Sequence, residues 1–366
     1  MTKYCISEGQ INVNHAGPKA RTDITTILTR DGWKTLNVHR RLDDELLTKE
    51  QWQKQSHHIN KRFLRRLLSV PLNISDWISI ERQTVAGDVI LIQFPLAMYP
   101  QVSRTALPLI ERIKQHGRKI IFLIHDLESL RGYDGENLEK EFLSLADVLI
   151  AHNNKMKEYL LACKYCRKVV VLNIFDYLFS SEVEYSSRKY TPNEIDVAGN
   201  LFKEKSAYIY KLCNAFPGAT FNLYGPNFDA ESPEAKWYRG NFKPEKLISE
   251  LHGEFGLVWD GNSLETCSGD FGQYLKYNNP HKMSLYLALG EPVIVWNKSA
   301  QAEFVEDERI GLVVSSVKEG LDMVKNCSEL EKKTMQSNAE KIGEKIRSGS
   351  FTRTALNKAQ EMIDRL

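Results

Sequence analysis

The sequence predicts an α/β protein with two doubly wound halves, each a parallel sheet covered by helices on both faces. Two observations predict this class. Short apolar runs alternate with amphipathic stretches along most of the chain, and the polar stretch 180–193 interrupts this alternation once before it resumes. The chain has 366 residues, more than one hydrophobic core usually holds, so two domains are expected.

The first half contains five apolar runs that are typical of buried strands. These runs are residues 3–6, Val89–Phe94, Lys119–Ile124, Val148–Ala151 and 168–174. Helical periodicity predicts helices around them at residues 19–30, 102–115, 137–145 and 155–163. Residues 9–20 are expected to form a long loop after the first strand.

The second half repeats the pattern. Its expected strands are residues 195–197, Thr220–Tyr224, 238–242, 255–259, Val293–Trp296 and 310–314. Its expected helices are residues 202–214, 244–252, a helix that begins near Asn279, residues 300–307 and most of the chain from 317 onward. We therefore expect an N-terminal domain over residues 1–179, a linker over 180–193, a C-terminal domain over 194–349 and a tail helix over 350–366.

Composition excludes several classes of function. The formal net charge is only +2, so no nucleic-acid partner is implied. No apolar run approaches the about 20 residues that span a bilayer, and the N-terminus lacks the apolar core of a secretory signal, so a cytoplasmic protein is expected. Residues 60–68 mix cations with apolar side chains, which favours a solvated helix face and leaves contact with an anionic membrane surface open. The six scattered cysteines predict free thiols.

The segment 276–296 carries the strongest functional signal. Asn279 is a suitable helix N-cap, Pro280 suits the first helical position, and Gly290 fits just past the helix end. Lys282 then lies in the first turn, where a cation opposes the helix dipole unless an anion lies in front of it. A phosphate group is the natural partner, so this segment predicts a diphosphate site. The alternative is a first-turn lysine that simply points into water.

Polar residues follow the other strands of the second half as well. Ligands of parallel sheets bind at the carboxyl ends of the strands, where these turns lie. The turns contain Asn200, Tyr224, Gly225, Asp260 and Asn278, with Lys205 close behind the first of them. Strand-to-helix turns favour such residues in any protein, but four of them beside well-placed lysines indicate a nucleotide-diphosphate site.

The first half offers candidates for a general base. His15 and Gly17 lie in the loop expected after the first strand, and Asp126 and Glu128 directly follow the strand Lys119–Ile124. Either carboxylate, or the imidazole, would be suited to removing a proton from a hydroxyl group. Asp126-x-Glu128 would also suit a divalent metal, although a lone pair of acids is weak evidence for one. The nearby His125 and His152 are more typical of neutral histidines in a structural role.

These segments together resemble a family of bacterial glycosyltransferases. The family includes beta-1,6-galactofuranosyltransferases of cell-surface polysaccharides and the glucosyltransferase that acts second in the glycosylation of streptococcal serine-rich adhesins. The start of the helix, Asn279-Pro280-His281-Lys282, is the most specific element of the resemblance. The other segments are residues 14–21, 124–131, 175–178, 199–201, 224–226, 277–289 and 290–294.

The resemblance implies a GT-B fold, in which two Rossmann-like domains face each other across a cleft and the C-terminal domain binds most of the donor. It implies a UDP-sugar as donor, a glycan or lipid-linked glycan as acceptor, a beta-linked product and no metal cofactor. The tail 352–366 would cross back to the first domain. A homo-oligomer and a position at the inner face of the membrane stay open. The donor ligands implied by the family are Asn200, Lys205, Tyr224, Asn279 and Lys282.

Two other functions were weighed against this one. A non-catalytic sugar- or nucleotide-binding partner of a glycosyltransferase would keep the donor site but lack a base in the first half. His15, Asp126 and Glu128 argue against that reading. A nicotinamide-dependent oxidoreductase would need a G-x-G-x-x-G motif after a first strand, and the sequence has none there.

Overall fold

The structure is a computed structural model that describes residues 1–8, 16–38, 59–96, 100–132, 136–179 and 189–365. Within these residues the chain forms two six-stranded sheets, and every pair of neighbouring strands is parallel. The predicted class, two parallel α/β halves, is confirmed. His15 and residues 180–188 lie outside the described residues, as do residues 9–14.

The N-terminal sheet runs in the order β2-β1-β3-β4-β5-β6. Its strands are β1 (Lys3–Ser7), β2 (Lys34–Asn37), β3 (Val89–Phe94), β4 (Lys119–Ile124), β5 (Val148–Ala151) and β6 (Val169–Val171). The direction of winding reverses between β1 and β3. A crevice for ligands opens at such a reversal, outside the carboxyl ends of the two strands.

The C-terminal sheet runs in the order β12-β11-β10-β7-β8-β9. Its strands are β7 (Thr191–Ala198), β8 (Thr220–Tyr224), β9 (Tyr238–Gly240), β10 (Gly253–Val258), β11 (Val293–Trp296) and β12 (Gly311–Val314). Here the winding reverses between β7 and β10, which is the strand order of the Rossmann fold.

Helices connect the strands on both faces of each sheet. The N-terminal half contains α1 (Ala16–Arg30), α2 (Ile59–Gln83), α3 (Pro100–Ser103), α4 (Leu107–Gln115), α5 (Glu136–Leu143) and α6 (Asn154–Ala162). The remaining helices are α7 (Lys203–Ser206), α8 (Leu212–Ala215), α9 (Pro244–Glu250), α10 (Gly269–Tyr274), α11 (His281–Ala288), α12 (Ala302–Glu308), α13 (Val317–Asn326), α14 (Glu329–Ser348) and α15 (Ser350–Asp364). Short 3₁₀ turns occur at Arg104–Ala106, Glu128–Arg131, Ile209–Lys211 and Pro233–Trp237.

Each sheet is buried on both faces, and most residues of its central strands are apolar. In β3, Ile90 and Ile92 belong to one core cluster, while Val89 and Leu91 belong to the cluster on the opposite face. The helix α15 packs on that second face of the N-terminal sheet. Its contributions to the cluster are Ala355, Leu356, Ala359 and Ile363. The last helix of the chain therefore covers the first sheet.

Several predicted boundaries were wrong, and each error has a physical reason. Residues 16–20 are the first turns of α1 rather than part of a loop. The end of the expected linker, 191–193, lies in β7, because Thr191 donates its N–H to the carbonyl of His252 and pairs beside β10. The expected helix 202–214 is broken, since the N–H of Tyr208 donates to the carbonyl of Gly261 instead of to its own helix. Residues 269–274 form a helix that no pattern predicted.

The six cysteines are free, as expected. Among the helices within the described ranges, none combines the length and the apolar character needed to cross a bilayer. Residues 60–68 lie in α2.

Candidate functional site

The helix α11 begins at His281, and the residue before it, Pro280, keeps an extended conformation with φ −68° and ψ 129°. Pro280 therefore occupies the N-cap position that was predicted for Asn279. A proline side chain has no acceptor for the first helical N–H groups, and no side-chain cap is formed. These N–H groups and the positive end of the helix dipole remain as the elements that attract an anion.

Asn279 lies deeper than predicted and joins the two halves. Its side-chain amide donates to the carbonyl oxygens of His152 and Asn173, both at 2.7 Å. Its Oδ1 accepts from Asn153 Nδ2 at 2.7 Å and from Gln301. The prediction of Asn279 as a helix cap was wrong, because these partners from the N-terminal half and from Gln301 draw its amide inward. The same bonds argue against a direct role in donor binding.

Lys282 is the cation at the start of α11. Its Nζ donates to the carbonyl of Trp259 at 2.8 Å and to Asp260 Oδ1 at 3.0 Å. Burial lowers the pKa of the Lys282 ammonium, and the nearby Lys205 lowers it further, while Asp260 opposes both effects. An ammonium has three N–H donors, so one remains for a ligand once these two bonds are made.

A second lysine approaches from the turn after β7. Lys205 lies close enough to Lys282 to affect its pKa, and its Nζ lies 5.8 Å from the centre of the Phe271 ring. The carbonyl of Lys205 also accepts the N–H of Gly261, which fixes this turn beside the end of β10. The neighbouring Lys203 is instead paired with Asp229. Lys205, rather than Lys203, therefore adds positive charge beside Lys282.

Asp260 lies beside Lys282, as its strand-end turn predicted, and Asn278 lies just before α11. Asp260 is buried and forms an ion pair with Lys282, so its carboxylate orients the lysine instead of binding a ligand. The N–H of Asn278 donates to the carbonyl of Tyr274 at 3.1 Å, which connects α10 to the start of α11. Within the described residues, Asn278 Oδ1 is buried and meets no hydrogen-bond partner.

Two of the predicted donor residues, Asn200 and Tyr224, lie in different environments. Asn200 is exposed at the end of β7, where its Oδ1 accepts from the N–H of Phe202 and from Asn227. Tyr224 was expected to reach the ligand, but it is fully buried and its hydroxyl donates to the carbonyl of Glu250 at 2.8 Å. Its ring belongs to the core, so that expectation was wrong.

Gly225 also differs from expectation. It was predicted as part of the nucleotide-diphosphate site, yet a Cβ there would collide with the carbonyl oxygen of Gly199. Its φ of +145° likewise excludes most side chains. Glycine is therefore required at this position because two strand-end turns touch each other.

The carboxylates of the N-terminal half lie on the turn after β4. Arg131 binds Glu128 at 2.9 Å and lies 3.5 Å from Asp126, so one guanidinium holds both acids. The Asp126 side chain keeps 40% of its surface exposed. Burial raises the pKa of the Glu128 carboxyl. The pairing with Arg131 gives these acids a cationic partner of the protein's own, which weakens the alternative of a metal site.

The remaining candidates of the N-terminal half are less informative. Gly17 lies in the first turn of α1, and His15 lies outside the described residues. Burial lowers the pKa of His125 and of His152, the latter to about 4. His125 stacks on Phe175 with ring centres 5.4 Å apart, and His152 accepts the N–H of Asn279. Both histidines are neutral and structural, as their sequence context indicated.

Two features of the site escaped the sequence patterns. Tyr274 of α10 reaches the N-terminal half, where its hydroxyl accepts the buried N–H of Leu127 at 2.9 Å. Glu8 follows β1 and forms an ion pair with Arg21 at 3.0 Å. The position of Glu8 at a strand end was a usable signal, but nothing in the sequence around Tyr274 indicates a partner in the other half.

Solved structures share this architecture over the whole chain. Sucrose-phosphate synthase from Thermosynechococcus elongatus matches with a TM-score of 0.59 at 11% identity, covering 100% of both chains. HepE from Anabaena, solved in complex with UDP, matches with a TM-score of 0.58 at 15% identity and the same coverage. The two parallel-sheet halves therefore have the GT-B fold.

Family models and relatives identify the chain more closely. The model for the Glucosyltransferase 3-like N-terminal domain matches residues 3–174, and that for the Glucosyltransferase 3-like C-terminal domain matches residues 195–359. The chain is 39% identical to the beta-1,6-galactofuranosyltransferase WbbI of Escherichia coli K12 over 283 residues, 76% of this chain and 80% of the relative. It is 25% identical to Glucosyltransferase 3 of Streptococcus gordonii over 279 residues, 74% and 78% of the two chains. The chain belongs to the Glucosyltransferase 3-like family of glycosyltransferases.

Proposed function

We propose that this protein transfers a hexosyl group from a UDP-sugar to a hydroxyl group of a glycan acceptor. One observation carries the proposal. Lys205 and Lys282 converge at the uncapped start of α11, and the acids Asp126 and Glu128 lie on the turn of the N-terminal half that contacts α10 beside them. A cationic site for a leaving diphosphate thus lies next to candidate bases for an acceptor hydroxyl.

The reaction follows from these two sites. The acceptor oxygen forms a bond to the anomeric carbon of the sugar, while the bond from that carbon to the diphosphate oxygen breaks. The electron pair of the broken bond stays on UDP, where the free N–H of Lys282, the Lys205 ammonium and the dipole of α11 stabilise the added charge. The proton of the acceptor hydroxyl passes to a carboxylate, for which Asp126 is our first choice because it is the more exposed acid.

The relatives favour galactofuranose as the transferred sugar and leave glucose as the second candidate. The relative that is 39% identical is named as a galactofuranosyltransferase, whereas those named as glucosyltransferases are 25% and 26% identical. The name of the nearer relative also supports a beta-linkage, which requires inversion if the donor is alpha-linked. We propose a glycan, free or linked to a lipid at the cytoplasmic face of the membrane, as acceptor.

We further propose that turnover needs no metal ion. Two lysines and a helix N-terminus supply the positive charge that a divalent ion would otherwise bring to the diphosphate. The acids that would hold a metal, Asp126 and Glu128, are both paired with Arg131. The alternative of a non-catalytic binding partner is less well supported, because these acids provide the base that such a partner would lack.

A donor screen tests the proposal. We expect UDP, and most strongly UDP-galactofuranose, to raise the melting temperature and to bind by calorimetry, with UDP-glucose and UDP-galactose as comparisons. Released UDP is then measured with a mixture of glycan acceptors. The matched control is Lys164→Met, which removes a lysine of the N-terminal half that lies outside the proposed donor site. If Lys282→Met binds each nucleotide as tightly as the wild type does, the proposed donor site is contradicted.

A further inference from the structure

The turn after β4 and the helix α10 form a contact between the two halves that the reaction scheme has not used. The N–H of Leu127 donates to the hydroxyl of Tyr274 at 2.9 Å. Both residues are buried, with Leu127 fully covered and the Tyr274 side chain nearly so. Leu127 precedes the 3₁₀ turn Glu128–Arg131, and no side chain of that turn caps it. Without the Tyr274 hydroxyl, this buried N–H would lose its partner, which is costly.

Two further contacts surround this hydrogen bond. The Arg131 guanidinium lies over the ring of Phe271, 5.8 Å from its centre. Gly132 has a φ of +79°, and a Cβ at this position would lie only 2.6 Å from Asp270 Oδ2. The backbone of one half therefore lies against a side chain of the other half, at a position whose positive φ favours glycine. We refer to Leu127, Arg131 and Gly132 with Asp270, Phe271 and Tyr274 as the inter-half latch.

The latch connects the donor side to the acceptor side of the reaction. On the donor side, Lys205 contacts the ring of Phe271, and the carbonyl of Tyr274 accepts the N–H of Asn278 just before α11. On the acceptor side, Arg131 holds the carboxylates of Asp126 and Glu128. A single turn of helix thus contacts the lysine expected to bind the diphosphate and the arginine that orients the candidate bases.

We infer that Tyr274 is a positioning residue, which holds the segment with Asp126 at the distance from the donor that transfer requires. This inference rests on the proposed function, in which Asp126 is the base and a UDP-sugar is the donor. Tyr274 touches neither proton nor sugar in this scheme and acts through the backbone of Leu127. A displacement of the base by about 1 Å can reduce a rate by up to about 100-fold, because reaction requires close and aligned approach. Loss of one hydroxyl therefore affects transfer more than donor binding.

The test compares Tyr274→Phe with Tyr286→Phe. Tyr286 is the matched control, because its buried hydroxyl also accepts a backbone N–H, that of Ala198 at 2.6 Å, but within the C-terminal half alone. In Tyr274→Phe we expect kcat for transfer to fall about tenfold, because the segment with Asp126 is less precisely placed, while UDP affinity stays within about twofold. We also expect a larger share of the UDP-sugar to be hydrolysed by water instead of transferred. Tyr286→Phe should leave that share unchanged.

Amide hydrogen exchange provides a readout that does not depend on activity. We expect exchange at Leu127 to become at least about tenfold faster in Tyr274→Phe and to stay at the wild-type rate in Tyr286→Phe. Unchanged exchange at Leu127 in Tyr274→Phe would overturn the latch. Faster exchange with an unchanged kcat and an unchanged hydrolysed share would overturn the positioning role. If the wild-type protein turns over no UDP-hexose, the proposed function fails, and the exchange result alone then decides whether the latch exists.

Discussion

The two halves wind their sheets in similar ways but fill the crevice at the reversal of strand order differently. In the N-terminal half this crevice lies between β1 and β3, and the Arg21 side chain occupies it. Arg21 donates to the carbonyl oxygens of Gln93 and Pro95 and forms an ion pair with Glu8. The pair is largely buried, with 7% of Glu8 and 18% of Arg21 exposed. The crevice of this half therefore balances its own charge.

In the C-terminal half the corresponding crevice lies between β7 and β10, and its charges do not balance. Lys205 approaches from the turn after β7, and Lys282 approaches from α11. Asp260, at the end of β10, is the acid that pairs with Lys282. The two lysines and the start of α11 carry more positive charge than the single carboxylate of Asp260 neutralises. The remaining positive charge is available to an anionic ligand.

The difference teaches that topology alone does not make an anion site. Both crevices lie at the carboxyl ends of parallel strands, where ligands are expected. Beside Glu8 and Arg21 lies a cavity of about 470 Å³, lined mostly by the polar side chains of α1, such as Thr22 and Thr25. An uncharged acceptor suits that half, whereas a diphosphate suits the half with surplus cations. Substitutions on each side of the molecule test this division.

The largest effect is expected on the acceptor side, from Asp126→Asn. Loss of a general base should lower kcat by about 100- to 10,000-fold, while UDP binding by the other half remains near the wild-type value. Steady-state kinetics with saturating acceptor and calorimetry with UDP measure the two effects. Glu158→Gln, an exposed acid on α6, is the control and should keep full turnover. If Asp126→Asn is as active as the control, Glu128→Gln and His15→Ala are the next variants to test, and near-normal rates in all three would place the base elsewhere.

The comparison of the two crevices is tested directly with Lys282 and Arg21. We expect Lys282→Met to weaken UDP binding by about 1.5–3 kcal/mol, the value of a hydrogen bond to a charged group. Arg21→Met, in the charge-balanced crevice, should leave UDP affinity unchanged. Because Lys282→Met alone would leave Asp260 buried without its partner, Asp260→Asn/Lys282→Met is measured as well. Equal losses of UDP affinity in Arg21→Met and in the lysine variants would contradict the division between the halves.

The contact between the halves should weaken as the pH falls. His152 accepts the N–H of Asn279 through Nδ1, which requires a neutral ring. Burial lowers the pKa of His152 from 6.5 to about 4, so the unfolded chain binds this proton first and stability is lost as pH falls below about 6.5. Between pH 8 and pH 5 this amounts to about 2 kcal/mol of unfolding free energy.

Other buried groups titrate in the same range, so a variant must isolate His152. Burial raises the pKa of Asp23 and of Asp176 to about 6, and these acids act in the opposite direction by favouring the folded state as pH falls. The free energy of unfolding is measured with denaturant for the wild type and for His152→Asn at pH 8 and at pH 5. Both proteins contain Asp23 and Asp176, so the difference between them at each pH excludes the contribution of these acids. The difference in unfolding free energy between the wild type and His152→Asn should be about 2 kcal/mol smaller at pH 5 than at pH 8. His116→Asn, at an exposed histidine, is the control, and an unchanged difference would contradict the role of His152.

The smallest expected effect is that of chelation. Because lysines and a helix dipole carry the positive charge at the diphosphate site, product formation should be the same with and without EDTA. Loss of turnover that manganese or magnesium restores would instead indicate a metal held by Asp126 and Glu128. That result would also contradict the division into a donor half and an acceptor half, because Asp126 and Glu128 would then belong to the donor site.

The strands of the fold were largely predictable from the sequence, and the residue-level site only in part. Val89–Phe94 and Val293–Trp296 were predicted to the residue, because a strand buried on both faces is largely apolar along its length. Lys282 and Asp260 were found because strand ends and helix starts are visible as local patterns. Asn279 and Tyr224 were misassigned, since both residue types suit a site and a core equally well and only their bonding partners distinguish the two.

The sequence predicted the two wound halves, eleven of the twelve strands and the cationic start of α11, but it did not predict β2 (Lys34–Asn37). Each of these follows from side chains that are close together in the sequence. The tertiary structure alone decided that Asn279 joins the halves, that Arg21 fills the first crevice and that Tyr274 meets Leu127. These contacts join residues between 72 and 147 positions apart, and each depends on tertiary packing rather than on a local pattern.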